Sequence, residues 1–224
     1  MSNLWDLSRL QPNNTVVLDG ETIPALFWNA VEKRGPKVWM RQKEYGIWRT
    51  WTWNQTADAV REIAGGLMSL GFEPGQTASI LSNTLIEWVL ADLAVLSTGG
   101  VSNGIYPTDA ASQVQYLCED SRTTLLFVED DEQLDKALEV RDQLPLLRKI
   151  VVFDMDGLRE VDDDGIISLK KLRALGRDYI AAHPQELLKR SRACKPEDLA
   201  ILVYTSGTTG KPKGAMHNHH GLVY

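Results

Sequence analysis

Eleven residues toward the end of the sequence have the composition of an anion-binding loop. Residues 204–214 read YTSGTTGKPKG and contain three glycines, four serine or threonine residues, two lysines and no acid. Glycine lets neighbouring backbone N–H groups point at one centre, and hydroxyl groups add further hydrogen-bond donors. Lysine supplies positive charge that binds a phosphate. The run is therefore suited to a phosphate group, above all a polyphosphate.

The spacing of this loop differs from that of the common P-loop, G-x-x-x-x-G-K-[ST]. Two residues separate its first two glycines, and Pro212 follows Lys211. Lys213 and Gly214 give little support for a helix after the loop, which weakens the case for a helix N-terminus at the phosphate site. A flexible linker is the alternative. The apolar run over residues 199–203 leads directly into the loop and favours a strand followed by a binding loop.

Charge is distributed unevenly along the chain. The 224 residues have a formal net charge of −6, and 43% are apolar, as in soluble globular proteins. The last acid is Asp198, and residues 199–224 contain two lysines and three histidines. The net charge argues against general nucleic-acid binding, whereas the cationic end favours a local anionic ligand.

Other patterns indicate no metal site and no membrane span. Cys118 and Cys194 fit no metal-binding spacing, and we predict reduced thiols. Residues 154–157 and 162–165 are acidic, but neither run continues as a calcium-binding loop that ends in Glu. The N-terminus lacks the features of a signal peptide, and no run approaches about 18 apolar residues. We predict a cytoplasmic enzyme, with peripheral contact to a membrane left open.

Strand and helix patterns alternate along the chain and predict an α/β fold. Repeated βα units indicate a doubly wound, mostly parallel sheet with flanking helices. We expect residues 1–20 to be irregular, 21–198 to form an α/β subdomain, and 199–224 to form a strand, the loop and the start of a helix. Predicted strands cover 37–43, 47–51, 77–81, 101–105, 124–128, 149–153 and 199–203. Predicted helices begin near residues 22, 52, 84, 109, 132, 169 and 185.

Local signals refine this prediction. Thr52 and Thr84 each begin a T-x-x-[QE] capping box, and Asp109 is placed to cap the helix that follows it. Gly65 and Gly66 lie inside a predicted helix, where they cost stability, so we expect a close backbone approach there. Four tryptophans near the N-terminus are predicted to be packing residues. These are Trp39, Trp48, Trp51 and Trp53.

The loop resembles the phosphate-binding signature of the adenylate-forming (AMP-binding) superfamily, Y-T-S-G-T-T-G-x-P-K-G, at every position. Residues 104–108 (GIYPT) are similar to a segment of long- and medium-chain fatty acyl-CoA synthetases, and the resemblance spans residues 25–224. After the loop, His219 matches the family's H-x-N, but Gly221 stands where Asn is usual. Further matching residues are Thr52, Trp53, Ala64, Leu67, Leu70, Gly71, Pro74, Gly75, Gln76, Ile80, Asn83, Glu87 and Trp88.

This resemblance implies ATP-dependent activation of a carboxylic acid, through an acyl-adenylate, and thioester formation with CoA. It is greatest for long-chain fatty acyl-CoA synthetases, while ligases for aromatic or amino acids and a non-catalytic nucleotide-binding fragment remain alternatives. It places Thr205 next to Mg²⁺ and His219 at the acyl substrate, and it assigns no catalytic residue. It assigns the phosphates of ATP to Thr205, Ser206, Gly207, Thr208, Thr209, Gly210, Lys211 and Lys213.

Other parts of the family's site lie downstream of the phosphate loop. They are an adenine-stacking segment, a Glu for Mg²⁺, an Asp for ribose and a lysine on a mobile C-terminal domain. We therefore expect this chain to be the N-terminal portion of a larger AMP-forming ligase, without the C-terminal domain. We also expect that it binds MgATP weakly and forms no acyl-CoA by itself.

Overall fold

A computed structural model describes residues 20–158, 160–205 and 210–224, with the side chain of Glu44 excepted. Within these ranges the strands form a two-stranded hairpin and a seven-stranded sheet. The strands are β1 (Val38–Glu44), β2 (Ile47–Thr52), β3 (Thr77–Leu81), β4 (Val101–Ile105), β5 (Thr123–Val128), β6 (Lys149–Val152), β7 (Ile166–Ser168), β8 (Leu199–Thr205) and β9 (Lys213–Asn218). The helices are α1 (Ile23–Arg34), α2 (Trp53–Ser69), α3 (Ile86–Ser97), α4 (Ala111–Asp120), α5 (Asp131–Val140), α6 (Leu169–Ala182), α7 (Glu186–Ala193) and α8 (His219–Val223).

The large sheet has the strand order β7-β6-β5-β3-β4-β8-β9. Its strand pairs are parallel, with the exception of β8 and β9 at one edge. Helices cover both faces, because α2, α3 and α6 pack into one apolar cluster and α4 and α5 into another. The predicted doubly wound α/β architecture is thus confirmed.

Burial on both faces explains why the central strands have apolar sequences. Every residue of β3 is buried. Alternate side chains of a strand point to opposite faces, so Ile80 enters the cluster with α2 and α3 while Leu81 enters the cluster with α4 and α5. Among the described residues, no helix is long and apolar enough to cross a membrane.

Helices α2 and α6 approach at their glycines. A Cβ atom added to Gly65 would lie 2.6 Å from the carbonyl oxygen of Gly176, and one added to Gly66 would lie 2.4 Å from that of Leu172. A Cβ atom on Gly176 would lie only 1.7 Å from the carbonyl oxygen of Glu62. The close backbone approach predicted for Gly65 and Gly66 is confirmed.

The aromatic residues near the N-terminus divide into two groups. Trp39 stacks on Trp53 with ring centroids 4.3 Å apart, and Phe27 on α1 joins this cluster. Trp51 is half-buried against the same cluster. Trp48 is 63% exposed near the end of the β1–β2 hairpin. The prediction that all four tryptophans pack is therefore wrong for Trp48.

Two predicted helix caps are absent, whereas a third is present. Thr52 caps α2 in a capping box with Gln55, as predicted. Helix α3 begins at Ile86 without a side-chain cap from Thr84. The backbone N–H of Ile86 instead donates to Oε1 of Gln42 on β1, at 2.9 Å. A residue distant in sequence thus accepts a hydrogen bond from the N-terminus of α3, where a local side-chain cap was expected.

The remaining differences involve short segments. Helix α4 begins after Ala110 and has no side-chain cap, so the prediction that Asp109 caps it is wrong. Strand β7 directly follows the acidic run of residues 162–165, where no strand was predicted. There Asp163 pairs with Arg141 at 2.5 Å, and this contact lowers the pKa of the Asp163 carboxyl. Strand β9, which follows the phosphate loop, was not predicted either.

Candidate phosphate-binding site

The loop joins the antiparallel strands β8 and β9. Thr205 at the end of β8 is the register partner of Lys213 at the start of β9, so both residues stand at the base of the loop. Gly210 has φ of 101°, a conformation that favours glycine. No helix follows the loop directly, in agreement with the sequence. Ser206, Gly207, Thr208 and Thr209 lie outside the described residues, and their phosphate contacts stay predictions.

The base of the loop lies at the carboxyl ends of the parallel strands. Sheets of this type bind ligands at that edge, where successive connections leave in opposite directions. Here the chain passes from β3 to its neighbour β4 and then back across β3 to β5. A cavity of about 240 Å³ opens between these ends. Its lining includes Ser82, Trp88, Ser102, Tyr106, Ile201 and Tyr204.

Helix α4 positions the segment that leaves the loop. The hydroxyl of Tyr116 donates a hydrogen bond to the carbonyl oxygen of Pro212 at 2.8 Å. The Nζ atom of Lys211 lies 4.7 Å from the centre of the Tyr116 ring, in a cation–π contact. Tyr116 thus holds two consecutive residues of the loop.

Tyr204 forms a second connection between α4 and the strands around the loop. Its hydroxyl donates to Oδ2 of Asp120 at 2.6 Å, and burial together with this carboxylate raises the pKa of the phenol. A Cβ atom at Gly214 would lie 3.0 Å from the Tyr204 ring, so glycine provides the space for the ring. Both ends of the loop are therefore attached to one helix, which the sequence did not indicate.

The two lysines of the loop have different surroundings. Lys211 contacts an aromatic face, whereas Lys213 is exposed beside Thr205. Both were assigned to the phosphates of ATP, and those assignments stay predictions. Lys213 lies at the base of the loop, next to the end of β8, and its side chain is exposed there.

His219 lies away from the open cavity at the strand ends. Its side chain is 1% exposed, and its Nδ1 atom accepts a hydrogen bond from the backbone N–H of Ile23 at 3.4 Å. Burial lowers the pKa of His219, although the charge of Asp198 acts in the opposite direction. The ring thus connects the start of α8 to the start of α1. Its predicted role at the acyl substrate stays a prediction.

Residues 26–224 match the sequence pattern of a family described as AMP-binding enzyme. The chain belongs to this family. It is 32% identical over 216 residues to the long-chain-fatty-acid–CoA ligase ACSBG2 of Xenopus laevis, which covers 96% of this chain and 29% of that protein. It is 35% identical over 179 residues to the long-chain-fatty-acid–CoA ligase FadD15 of Mycobacterium bovis, which covers 80% of this chain and 28% of that protein. The chain thus spans less than a third of these relatives.

Solved structures have the same fold. An anthranilate CoA ligase in complex with anthranoyl-AMP, AuaEII, matches with a TM-score of 0.73 at 25% identity, over 89% of this chain and 35% of that one. A luciferase-like enzyme from the mealworm Zophobas morio matches with a TM-score of 0.72 at 18% identity, over 94% of this chain and 44% of that one. The predicted resemblance to adenylate-forming enzymes is confirmed.

In this member of the AMP-binding family, Glu129 joins the ends of two neighbouring strands. It follows β5, and its Oε2 atom accepts hydrogen bonds from the backbone N–H of Asn83 at 2.6 Å and from the Ser82 hydroxyl at 3.1 Å. The Asn83 amide donates to the same oxygen at 3.0 Å. The sequence resemblance singled out Asn83 but not its partner, which lies 46 residues away.

Thr205 is the single described residue that was assigned to Mg²⁺. Its position is exposed at the end of β8, so its hydroxyl can face a ligand there. Within the described residues no group of three or more His, Cys, Asp or Glu side chains could hold a metal ion. Mg²⁺ at nucleotide sites commonly has phosphate, water and one or two carboxylates as ligands. Thr205 therefore fits as one ligand of an ion that arrives with ATP.

The two thiols of the chain are unsuited to nucleophilic chemistry. Burial raises the pKa of Cys118 to about 12 and that of Cys194 to about 11. At neutral pH both remain protonated, and the thiolate is the reactive form. Both are free thiols, as predicted.

Asp92 on α3 is a carboxyl in an unfavourable, buried environment. Its Oδ1 atom is buried without a hydrogen-bond partner, although the residue as a whole keeps some exposure. Burial raises the pKa of Asp92 to about 6, and a hydrogen bond with Ser102 offsets part of this rise. Ser102 also lines the cavity, so this carboxyl is one residue removed from it.

We predict that Asp92→Asn stabilises the chain at neutral pH. A carboxyl whose folded pKa lies above its unfolded value destabilises the fold when ionised, so the penalty is absent below pH 4 and complete above pH 6. Two pKa units correspond to about 3 kcal/mol, which is the upper bound for the gain in unfolding free energy. Urea titrations at pH 4 and pH 7.5 test this, with the exposed Asp178→Asn as control. An equal effect of Asp92→Asn at both pH values would contradict the prediction.

We predict that Tyr116→Phe loosens the loop without unfolding the chain. Phenylalanine keeps the ring that contacts Lys211 but loses the hydrogen bond to Pro212. Loss of about 1 kcal/mol should accelerate hydrogen exchange of the loop amides about fivefold. Exchange measured by mass spectrometry over residues 205–215 tests this, with Tyr179→Phe on α6 as control. An unchanged rate of hydrogen exchange in Tyr116→Phe would show that the hydrogen bond from Tyr116 to Pro212 does not hold the loop.

Proposed function

We propose that the protein to which this sequence belongs is an AMP-forming acid–thiol ligase that converts a long-chain fatty acid to its CoA thioester. The observation that carries the proposal is the phosphate loop at the carboxyl ends of the parallel strands, in a chain that is similar to long-chain-fatty-acid–CoA ligases over 96% of its length. The family and the named relatives support ATP and CoA as co-substrates.

The proposed first step is attack of the carboxylate on the α-phosphorus of ATP. This bond forms as the bond to pyrophosphate breaks, and the product is an acyl-adenylate. A carboxylate is ionised at pH 7, so this step requires no general base. It requires in-line positioning and neutralisation of the charge on the leaving pyrophosphate. A thiol then displaces AMP from the acyl group.

The residues of this chain supply the positioning. Lys213 beside Thr205 places a positive charge at the end of β8, where the pyrophosphate would leave. The backbone amides and hydroxyls of the loop would bind the β- and γ-phosphates. Mg²⁺ bound with ATP would supply further charge neutralisation, and Thr205 is the described residue that would contact it. Hydrogen bonds of Tyr116 and Tyr204 attach the two ends of the loop to α4.

ATP–pyrophosphate exchange tests the proposed reaction. A protein that carries this sequence at the full length of its relatives should exchange pyrophosphate when a long-chain fatty acid is present. It should then form acyl-CoA when CoA is added. Exchange without any acid, or no exchange with a broad panel of carboxylic acids, would refute the ligase function. We propose that the 224-residue chain alone forms no acyl-CoA, and product from ATP, CoA and fatty acid would contradict this.

An aromatic acid is the second candidate substrate. The observation in its favour is the structural match to an anthranilate CoA ligase, with a TM-score of 0.73 and 25% identity. The sequence matches to long-chain-fatty-acid–CoA ligases are higher, at 32% and 35%. Comparison of kcat/KM for palmitate and for anthranilate decides between the two substrates.

A further inference from the structure

The hairpin of β1 and β2 carries large apolar side chains into solvent at its tip. Tyr45 is fully exposed, while Ile47 and Trp48 are 67% and 63% exposed. Tyr45 and Gly46 form the turn, with φ of 48° and 83°. Positive φ at both central residues is the geometry of the tight type I′ hairpin turn. The three apolar side chains are thus concentrated at the end of a protruding ribbon.

The same segment is strongly basic in an acidic protein. Residues 33–51 contain six basic residues and one acid, whereas the whole chain has a net charge of −6. Arg41, Lys43 and Arg49 lie on the strands and are exposed. Lys37 is exposed just before β1. This segment therefore combines a local excess of positive charge with the exposed apolar tip.

Strand register places the cations beside Trp48. Lys43 is its direct cross-strand partner. Arg41 lies two residues from Lys43, so strand alternation puts Arg41 on the same face. Gln42 has the opposite orientation and contacts the N-terminus of α3. The face with Trp48, Lys43 and Arg41 therefore points away from α3.

We propose that this hairpin docks the protein on an anionic phospholipid surface. Tyr and Trp side chains are favoured at the membrane–water interface, because one part of the ring is apolar and another forms hydrogen bonds. Lys and Arg behind the tip are attracted to acidic headgroups. The proposal concerns a surface separate from the phosphate loop and does not depend on the ligase reaction.

A lipid surface fits the hairpin better than a protein partner. A stable protein interface buries about 800 Å² on each partner, and lysine is depleted from such interfaces. Three side chains at the tip of a two-stranded ribbon offer much less apolar area, and the residues around them are basic. A bilayer, in contrast, accommodates a narrow tip between headgroups and binds cations around it.

Co-sedimentation of the 224-residue chain with vesicles tests the charge contribution. We expect binding to a phosphatidylcholine–phosphatidylglycerol mixture, weaker binding at high salt, and little binding to phosphatidylcholine alone. Each basic residue near an acidic surface contributes about fivefold in affinity, so Arg41→Gln with Lys43→Gln should weaken binding about 25-fold. The control pair Lys170→Gln with Lys171→Gln removes the same charge from exposed positions on α6. It should have a much smaller effect.

Brominated lipids test the contribution of the tip. They should quench Trp48 fluorescence in the wild-type chain on binding. Trp48→Phe should still bind but show much less quenching, whereas Tyr45→Ala with Trp48→Ala should bind weakly. Leu188→Ala with Tyr224→Ala removes exposed apolar side chains elsewhere and should bind as wild type does. Circular dichroism melts establish that each variant is folded, and Trp48→Phe keeps the test valid should the double alanine variant unfold.

Four results would overturn the proposal. The first is failure of the wild-type chain to bind the acidic vesicles, and the second is equal weakening by the hairpin and α6 charge pairs. The third is equal quenching in the wild type and in Trp48→Phe. The fourth is self-association that depends on Trp48 in sedimentation velocity, without binding to vesicles, which would assign the tip to a protein interface. Loss of ligase activity in a longer protein would not affect any of these measurements.

Discussion

Gly176→Ala is expected to destabilise the chain by about 3 kcal/mol or more, because overpacking of a close contact commonly costs 1–3 kcal/mol and the contact here is extreme. The added Cβ atom would lie 1.7 Å from the carbonyl oxygen of Glu62 and 2.6 Å from the backbone nitrogen of Gly66. Both are backbone atoms, so a side-chain rotation cannot relieve the clash. Helices α2 and α6 would have to separate.

Helix propensity acts in the opposite direction at this position. Alanine is favoured over glycine in a helix by about 1 kcal/mol. The steric term must exceed this gain for the prediction to be correct. Urea denaturation of the wild type and the variant measures the difference in unfolding free energy.

Gly221→Ala in α8 is the matched control for this substitution. There the added Cβ atom meets only the Asn218 side chain, at 3.3 Å. Its effect should stay within about 0.5 kcal/mol of zero. Equal unfolding free energies for Gly176→Ala and the wild type would show that the helix contact can relax.

Lys213→Ala is expected to lower the rate of ATP–pyrophosphate exchange about 100- to 1000-fold in a protein of the full length of its relatives. Removal of one preorganised group that stabilises developing charge commonly has an effect of this size. Lys213 is exposed at the base of the loop beside Thr205, so its charge is available to the leaving pyrophosphate.

Lys211→Ala provides the control, because the two lysines are two residues apart but have different surroundings. The Lys211 ammonium lies against the Tyr116 ring, and its loss should lower the exchange rate less than tenfold. Thermal shift of each variant with MgATP separates nucleotide binding from the rate of the chemical step. Equal losses in the two variants would contradict the distinction drawn between them.

Most elements of the fold could be predicted because their signals are local. The apolar runs of β3, β5 and β6 and the capping box of Thr52 depend on neighbouring residues alone. Gly65 and Gly66 destabilise a helix relative to alanine, and this cost predicted that another segment's backbone comes close to them. The sequence could not identify Gly176 as the residue that they meet, because that contact joins positions more than 100 residues apart.

Local signals were misleading where a distant group replaced them. Thr84 matches a capping box, but Gln42 from the hairpin occupies the N-terminus of α3. Trp48 was expected to pack, as its neighbours Trp51 and Trp53 do, yet it extends into solvent at the end of a ribbon. Composition and spacing do not indicate which face of an isolated hairpin has a partner, since that depends on how the hairpin lies against the helices.

The sequence by itself predicted phosphate binding for the loop of residues 204–214, because its glycines, hydroxyls and lysines are suited to an anion wherever the loop lies. It also determined membership of the AMP-binding family and the doubly wound sheet, which the comparisons and the strand order confirm. Only the tertiary structure showed that Lys213 faces Thr205 across a β-hairpin while Tyr116 on α4 holds Lys211 and Pro212. Pairing of β8 with β9 brings Lys213 beside Thr205, and the position of α4 brings Tyr116 to Lys211 and Pro212.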